Sequence, residues 1–255
     1  MAWTQVFPDI EHLSLAAAER FIALAAEAIA ARGRFTVALA GGSTPRVLYS
    51  LLASATFAGR VDWPRVDVYW GDERCVPPED SRSNYRLAHE TLLARVPVPG
   101  ENVHRMRGEA EPAAAAAEYE RLLRQRLGDS GADTSPASGF DLVLLGMGDD
   151  GHTASLFPHT PPLDERVRWA VPNWSAETQT WRVTLTTPVL NAARHTLFLV
   201  SGNSKAERLA QVIEGPRDPH ALPAQLIEPA HGEVAWFVDQ GAAARLTRLG
   251  QGEPS

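Results

Sequence analysis

The run Leu145-Gly146-Met147-Gly148-Asp149-Asp150-Gly151-His152-Thr153-Ala154-Ser155-Leu156-Phe157-Pro158 carries an apolar segment straight into glycines, two aspartates and a histidine. Histidine titrates near neutrality and suits general base work, and a carboxylate beside it holds its tautomer and raises its basicity. Asp150 and His152 are two apart, so the glycines must bend the chain before they can meet. Asp72, Asp149 and Asp150 all stay open as the group that orients His152. One histidine with two aspartates lacks the ligand spacing of a zinc site, so no metal is expected. The other seven of the 8 histidines have no comparable setting.

Two further runs suit an anionic ligand. Gly41-Gly42-Ser43-Thr44-Pro45 lies between an apolar run and a helical one. Its glycines let backbone approach an anion, and the next helix presents free N–H groups and a favourable dipole. It has neither Walker A nor dinucleotide-binding spacing, and an ordinary strand-to-helix turn would read alike. Gly71-Asp72-Glu73-Arg74 follows another apolar run; it is either a functional charge cluster or a solvated loop with a surface ion pair. Asn84 after Ser83 reads as a helix start. Arg182 opens Arg182–Thr186, and Lys205 follows Ser201-Gly202-Asn203-Ser204. Of the 24 basic residues 23 are arginine, and Lys205 is the exception.

The elements that position these runs alternate in type. Apolar runs at Phe35–Ala40, Val66–Trp70, Phe140–Leu145, His195–Ser201 and Val234–Val238 read as buried strands, and Arg182–Thr186 as a half-exposed one. Between them fall helices: Ser14 to about Arg32, with Ser14 as cap and Leu15, Ala18, Phe21, Ile22, Ala25 and Ile29 as its stripe, then Pro45–Ala53, Asn84–Ala94, Glu111–Leu127, Ser204–Ile213 and Gln240–Leu249. That rhythm predicts an α/β fold: a doubly wound, mostly parallel twisted sheet with helices on both faces, Rossmann-like. In such sheets ligands bind beyond the carboxyl ends of the strands, where all the polar runs fall. Residues 128–139 are linker-like, yet the rhythm resumes directly after them, so 1–255 is read as one domain with a small lid within 155–180.

Composition narrows the classes. The 255 residues are 44% hydrophobic and 22% charged, the range of a globular protein. The formal charge of −7 and the absence of a dense basic face speak against nucleic acid as a partner. A single cysteine, Cys75, suits a reducing compartment. No 18-residue apolar stretch suggests a membrane partner. A cytoplasmic protein, monomeric or weakly dimeric, is expected.

LAGGSTP, GDER-CVPPEDSRSN, LLGMGDDGHTASLFP, WRVTLTTPVLNAARHTLFLVSGNSKAE and PAQLI occur in this order over nearly the whole chain. Together they resemble the 6-phosphogluconolactonase family, which is similar in fold to glucosamine-6-phosphate deaminase. The resemblance implies hydrolysis of a phosphorylated sugar lactone, 6-phospho-D-glucono-1,5-lactone, in the oxidative pentose phosphate pathway, with no cofactor. It implies His152 as catalytic base and places Arg74 and Asp150 around the sugar ring; hydrolysis needs a cation for the developing oxyanion, which Arg74 is expected to supply, and Asp150 is expected to orient the imidazole. It also implies that Gly41, Gly42, Ser43, Thr44, Arg182 and Lys205 hold substrate, chiefly its phosphate, with Asp72 near the sugar ring. Deaminases resemble D-G-H-I-A-F-N-E-P in the third run, and their glutamate supports the histidine; this chain has Phe157 there, which accepts no hydrogen bond. They also carry D-E-Y against Asp72-Glu73-Arg74. Both departures favour a lactonase.

Overall fold

The structure is a computed structural model describing residues 2–128 and 138–247. Its centre is a parallel sheet of six strands: β1 (Ala2–Phe7), β2 (Phe35–Leu39), β3 (Val66–Trp70), β5 (Leu142–Leu145), β8 (His195–Val200) and β9 (Glu233–Asp239), in the order β1-β9-β8-β5-β2-β3. Successive side chains point to opposite faces of a strand, and here both faces are covered. Val37, Leu39, Leu142, Leu144, Leu197, Leu199, Ala235 and Phe237 pack with helices α1 (Ile10–Arg32) and α2 (Ser43–Leu52). Ala38, Val143, Leu145, Phe198, Val200, Val234, Trp236 and Val238 pack with α4 (Pro112–Leu127) and α6 (Ala206–Glu214). Burial on both faces explains why these strands read as unbroken apolar runs. The doubly wound α/β expectation therefore holds.

Several local expectations do not. The first helix starts at Ile10, where Asp9 accepts the His12 N–H at 2.9 Å; Ser14 is buried inside it and Leu15 is exposed. Gly33 ends it, in the left-handed conformation. β1 was not foreseen. Asp72–Arg74 is no loop but strand β4, and Arg182–Thr186 is no half-exposed strand. It belongs to β7 (Thr180–Leu185), whose last three residues are fully buried. β4, β7 and β6 (Ala170–Ser175) form a second, antiparallel sheet in the order β4-β7-β6. Gln240–Arg245 forms turns rather than a helix, with 248 and 249 outside the described residues, as is most of 128–139. Segment 155–180 supplies β6 and the β6–β7 hairpin.

From β2 the chain passes to β3 on one side and then to β5 on the other. This reversal of winding direction opens a crevice between the carboxyl ends of β2 and β5, the usual ligand position in open α/β sheets.

Candidate active site

A cavity of about 270 Å³ occupies that crevice. Its wall includes Gly41 and Gly42 after β2, Asp72 and Arg74 of β4, Gly146, Met147, Gly148 and His152 after β5, and Ser175, Thr178 and Arg182 around the β6–β7 hairpin. The sequence runs are thus brought together, each by the strand preceding it.

After β5 the chain folds back on itself. The Gly148 N–H donates to the His152 carbonyl at 2.9 Å, and Gly151 turns with φ +85°. This bend brings Asp150 onto His152: Nδ1 lies 2.6 Å from Asp150 Oδ1, which also accepts the His152 backbone N–H at 3.0 Å. Asp150 is therefore the carboxylate in contact with the imidazole. Burial pushes the Asp150 carboxyl up, but hydrogen bonding to His152 and its charge outweigh this and hold it below the usual carboxylate range. Occupation of Nδ1 leaves Nε2 outside the pair. The Phe157 ring packs against the imidazole, centroids 4.9 Å apart at 66°.

Asp72 and Asp149 are engaged elsewhere. Asp72 Oδ2 accepts the Ser155 hydroxyl at 2.5 Å and Oδ1 the Asn84 amide at 3.2 Å. The same amide donates to the Asp72 carbonyl at 2.9 Å, and Asn84 fills the space where Gly41 lacks a side chain. Asn84, read from sequence as a helix start, thus joins the glycine loop to β4. Glu73 is the latch beneath: buried, it accepts N–H groups of Arg74, Asn84 and Tyr85 and the Ser83 hydroxyl, pinning the start of α3 (Asn84–Thr91) to β4. Burial pushes its carboxyl up against those bonds.

The cationic side is sharply built. Arg74 and Arg182 face each other as cross-strand partners of β4 and β7. Arg74 Nη1 donates to the Arg82 carbonyl at 2.5 Å, while its Nε is buried with no partner among the described residues. Arg182 is 6% exposed; burial, then the Arg74 charge, lowers its hold on its proton below the arginine norm. A guanidinium nevertheless stays cationic at neutral pH. On the facing side, Gly42 at φ +108° gives α2 no side-chain cap, so its first N–H groups remain available for an anion. Tyr49 locks this loop, its hydroxyl accepting the Ala40 N–H at 3.0 Å and donating to the Ala40 carbonyl at 2.7 Å.

Three expected ligands stand off the cavity wall. Ser43 and Thr44 open α2 behind it, and Lys205 pairs with Asp149 Oδ1 at 2.7 Å beside the histidine loop. Ser155 and Thr178 were missed. Ser155 lay inside the recognised run; nothing in the sequence marked Thr178. His104 and His195 also meet carboxylates, Asp67 and Glu233, but at the opposite ends of the strands. Among the described residues no three His, Cys, Asp or Glu side chains converge as a metal site, and no helix is long and apolar enough to cross a membrane.

Residues 8–236 match the family model described as glucosamine-6-phosphate isomerases/6-phosphogluconolactonase. A 6-phosphogluconolactonase from Nostoc sp. is 41% identical over 245 residues, covering 95% of this chain and 98% of the relative. A solved 6-phosphogluconolactonase from Trypanosoma cruzi shares the fold with a TM-score of 0.84 at 27% identity, covering 97% of this chain and 98% of that one. A monomeric glucosamine-6-phosphate deaminase, at 21% identity and a TM-score of 0.80, shows a likeness of fold.

Proposed function

The chain belongs to the glucosamine-6-phosphate isomerase/6-phosphogluconolactonase family, and from that premise we propose that it hydrolyses 6-phospho-D-glucono-1,5-lactone to 6-phospho-D-gluconate, as a metal-independent lactonase of the oxidative pentose phosphate pathway. The observation that carries this reading is the pairing of His152 with Asp150 on a cavity that is also lined by two guanidinium groups with unpartnered N–H donors among the described residues. His152 takes a proton from water through Nε2, with Asp150 fixing the Nδ1–H tautomer. The hydroxide attacks C1, the carbonyl oxygen becomes an oxyanion, and Arg74 stabilises it. Collapse breaks the bond from C1 to the ring oxygen, which takes the proton back from His152. The free acid then ionises. The phosphate lies among the Gly41–Thr44 backbone, Arg182 and Lys205, with Asp72 near the sugar hydroxyls.

Phe157 supports hydrolysis over deamination, because an aromatic ring packs on His152 at the position where the deaminase pattern has a glutamate. The cross-strand register supports a second role for Arg74. Like charges side by side favour one ligand group that bears two negative charges, so Arg74 and Arg182 together suit a phosphate dianion.

Purified protein should speed the loss of freshly generated 6-phosphogluconolactone well above the spontaneous rate, with EDTA causing no change. Ammonia release from glucosamine 6-phosphate, or a rate no higher than the blank, would overturn the reading; EDTA inhibition reversed by added metal would overturn its metal independence.

A further inference from the structure

Arg182 is a buried cation whose orientation depends on very little. Nη2 donates to Thr178 Oγ1 at 2.7 Å, while Nε and Nη1 are buried with no partner among the described residues. No carboxylate among those residues forms an ion pair with it. Arg74 stands directly opposite on β4, and the repulsion of like charges pushes the guanidinium aside. An arginine side chain has several rotatable bonds, so fixing one conformer needs a specific contact.

Thr178 is built to supply it. It sits in the β6–β7 hairpin turn, where Ser175 pairs with Thr180 and Gln179 turns with φ +47°. Its hydroxyl proton is committed to Ser175 Oγ at 2.9 Å, and its N–H reaches the same oxygen at 3.3 Å. With the proton pointed at Ser175, the lone pairs of Thr178 Oγ1 are left for Arg182. Ser175 is itself 2% exposed, so the anchor does not move with the turn.

We propose that Thr178 is a positioning residue: the hairpin tip, through this hydroxyl, aims the Arg182 guanidinium into the cavity and so sets affinity for the phosphate end of the substrate. The proposal rests on the reading that Arg182 holds that phosphate. Thr178 itself is exposed, so replacing it leaves the core intact.

The test compares Thr178→Val, Thr178→Ser, Arg182→Met and the Thr178→Val/Arg182→Met double variant. KM and kcat for 6-phosphogluconolactone are measured, with Kd for 6-phosphogluconate by calorimetry as a readout free of turnover. Thr178→Val should raise KM and Kd together by about threefold to tenfold, the scale of one ordinary hydrogen bond, and lower kcat less. Thr178→Ser, which keeps the hydroxyl, should restore both. In the Arg182→Met background the valine should add nothing further, because a residue acting through Arg182 has nothing left to aim. Wild-type KM and Kd in Thr178→Val, no rescue by serine, or additive effects in the double variant would each overturn the proposal. If Arg182→Met itself leaves KM and Kd unchanged while wild-type lactonase activity is present, the phosphate assignment fails and takes the proposal with it.

Discussion

Gly148 and His152 compete for one space. A Cβ built on Gly148 would lie 2.1 Å from His152 Nδ1 and 2.8 Å from Asp150 Oδ1, so the histidine–aspartate pair exists because residue 148 has no side chain. Gly148→Ala should displace the imidazole and lower kcat towards the level of His152→Asn, itself about 10²–10⁴ below wild type, the usual worth of a positioned general base. KM should change little in either, and circular dichroism should show a folded protein. A Gly148→Ala enzyme with wild-type kcat would mean that the pairing is not needed for turnover.

Arg74 can be assigned by a split of constants. If it stabilises the oxyanion, Arg74→Met lowers kcat by about 10²–10³ with KM nearly unchanged. If it joins Arg182 on the phosphate, KM rises and kcat falls less. Unphosphorylated gluconolactone decides independently, since only the oxyanion role depresses its turnover.

Lys205→Ala should raise KM for the phosphorylated lactone at least tenfold, because a charge-assisted contact worth about 1.5–3 kcal/mol is lost. Lys205→Arg should recover part of the affinity. The resting partner of Lys205, Asp149, is 72% exposed, and exposed ion pairs are weak, so exchanging it for a phosphate is undemanding. Asp149→Asn should therefore leave KM equal or lower. A rise in KM for that variant would show that the carboxylate positions the lysine. Turnover of unphosphorylated gluconolactone should ignore all three changes.

Acid should destabilise the fold in a defined window. Asp67 is buried, which pushes its carboxyl up, but hydrogen bonds from His104 and Arg34 outweigh burial and hold it below the usual range. Glu233, bonded by Trp3 and His195 beside Arg20, is lowered in the same way, and Glu109 is held at about 2 by Arg105. Carboxyls depressed in the folded state contribute stability that is present above their unfolded values, near pH 4, and lost as pH falls through the folded ones. Tm should therefore fall steeply between about pH 4 and pH 2. Glu73, shifted upward, acts in the opposite sense but at higher pH, above its unfolded value, and so leaves this slope unaltered. Asp67→Asn should flatten it, and an unchanged slope would remove Asp67 from the account.

The legible parts of the molecule were those where one physical demand governs a whole run. Strands buried on both faces show as apolar runs, and the loops leaving them had to carry the polar groups. β4 was illegible because Asp72-Glu73-Arg74 has no apolar residue; antiparallel pairing with β7 makes it a strand. Glu73 could not be foreseen as buried, since carboxylates seldom are, and three of its four donors come from a helix start ten to twelve positions further on. The choice of Asp150 over Asp72 and Asp149 needed the bend at Gly148 and Gly151. Lys205 stood out by composition, yet its resting contact with Asp149 was not readable. Thr178 matters through a hairpin that no periodicity announced.

β1 lies against β9, and Trp3 hydrogen-bonds to Glu233, 230 positions away. Such closure is slow, because the entropy of bringing distant segments together is lost before their contacts form. One edge strand of the sheet, β1, should thus be late to find its place. Until it does, the free edge of β9 offers unpaired backbone N–H and carbonyl groups to any other strand. Trp3 and Phe7, which close over Phe237 in the finished sheet, wait exposed meanwhile. Refolding yield should consequently be limited by this joint and improve with dilution, while the cavity, built from strands nearer one another in the chain, is assembled earlier.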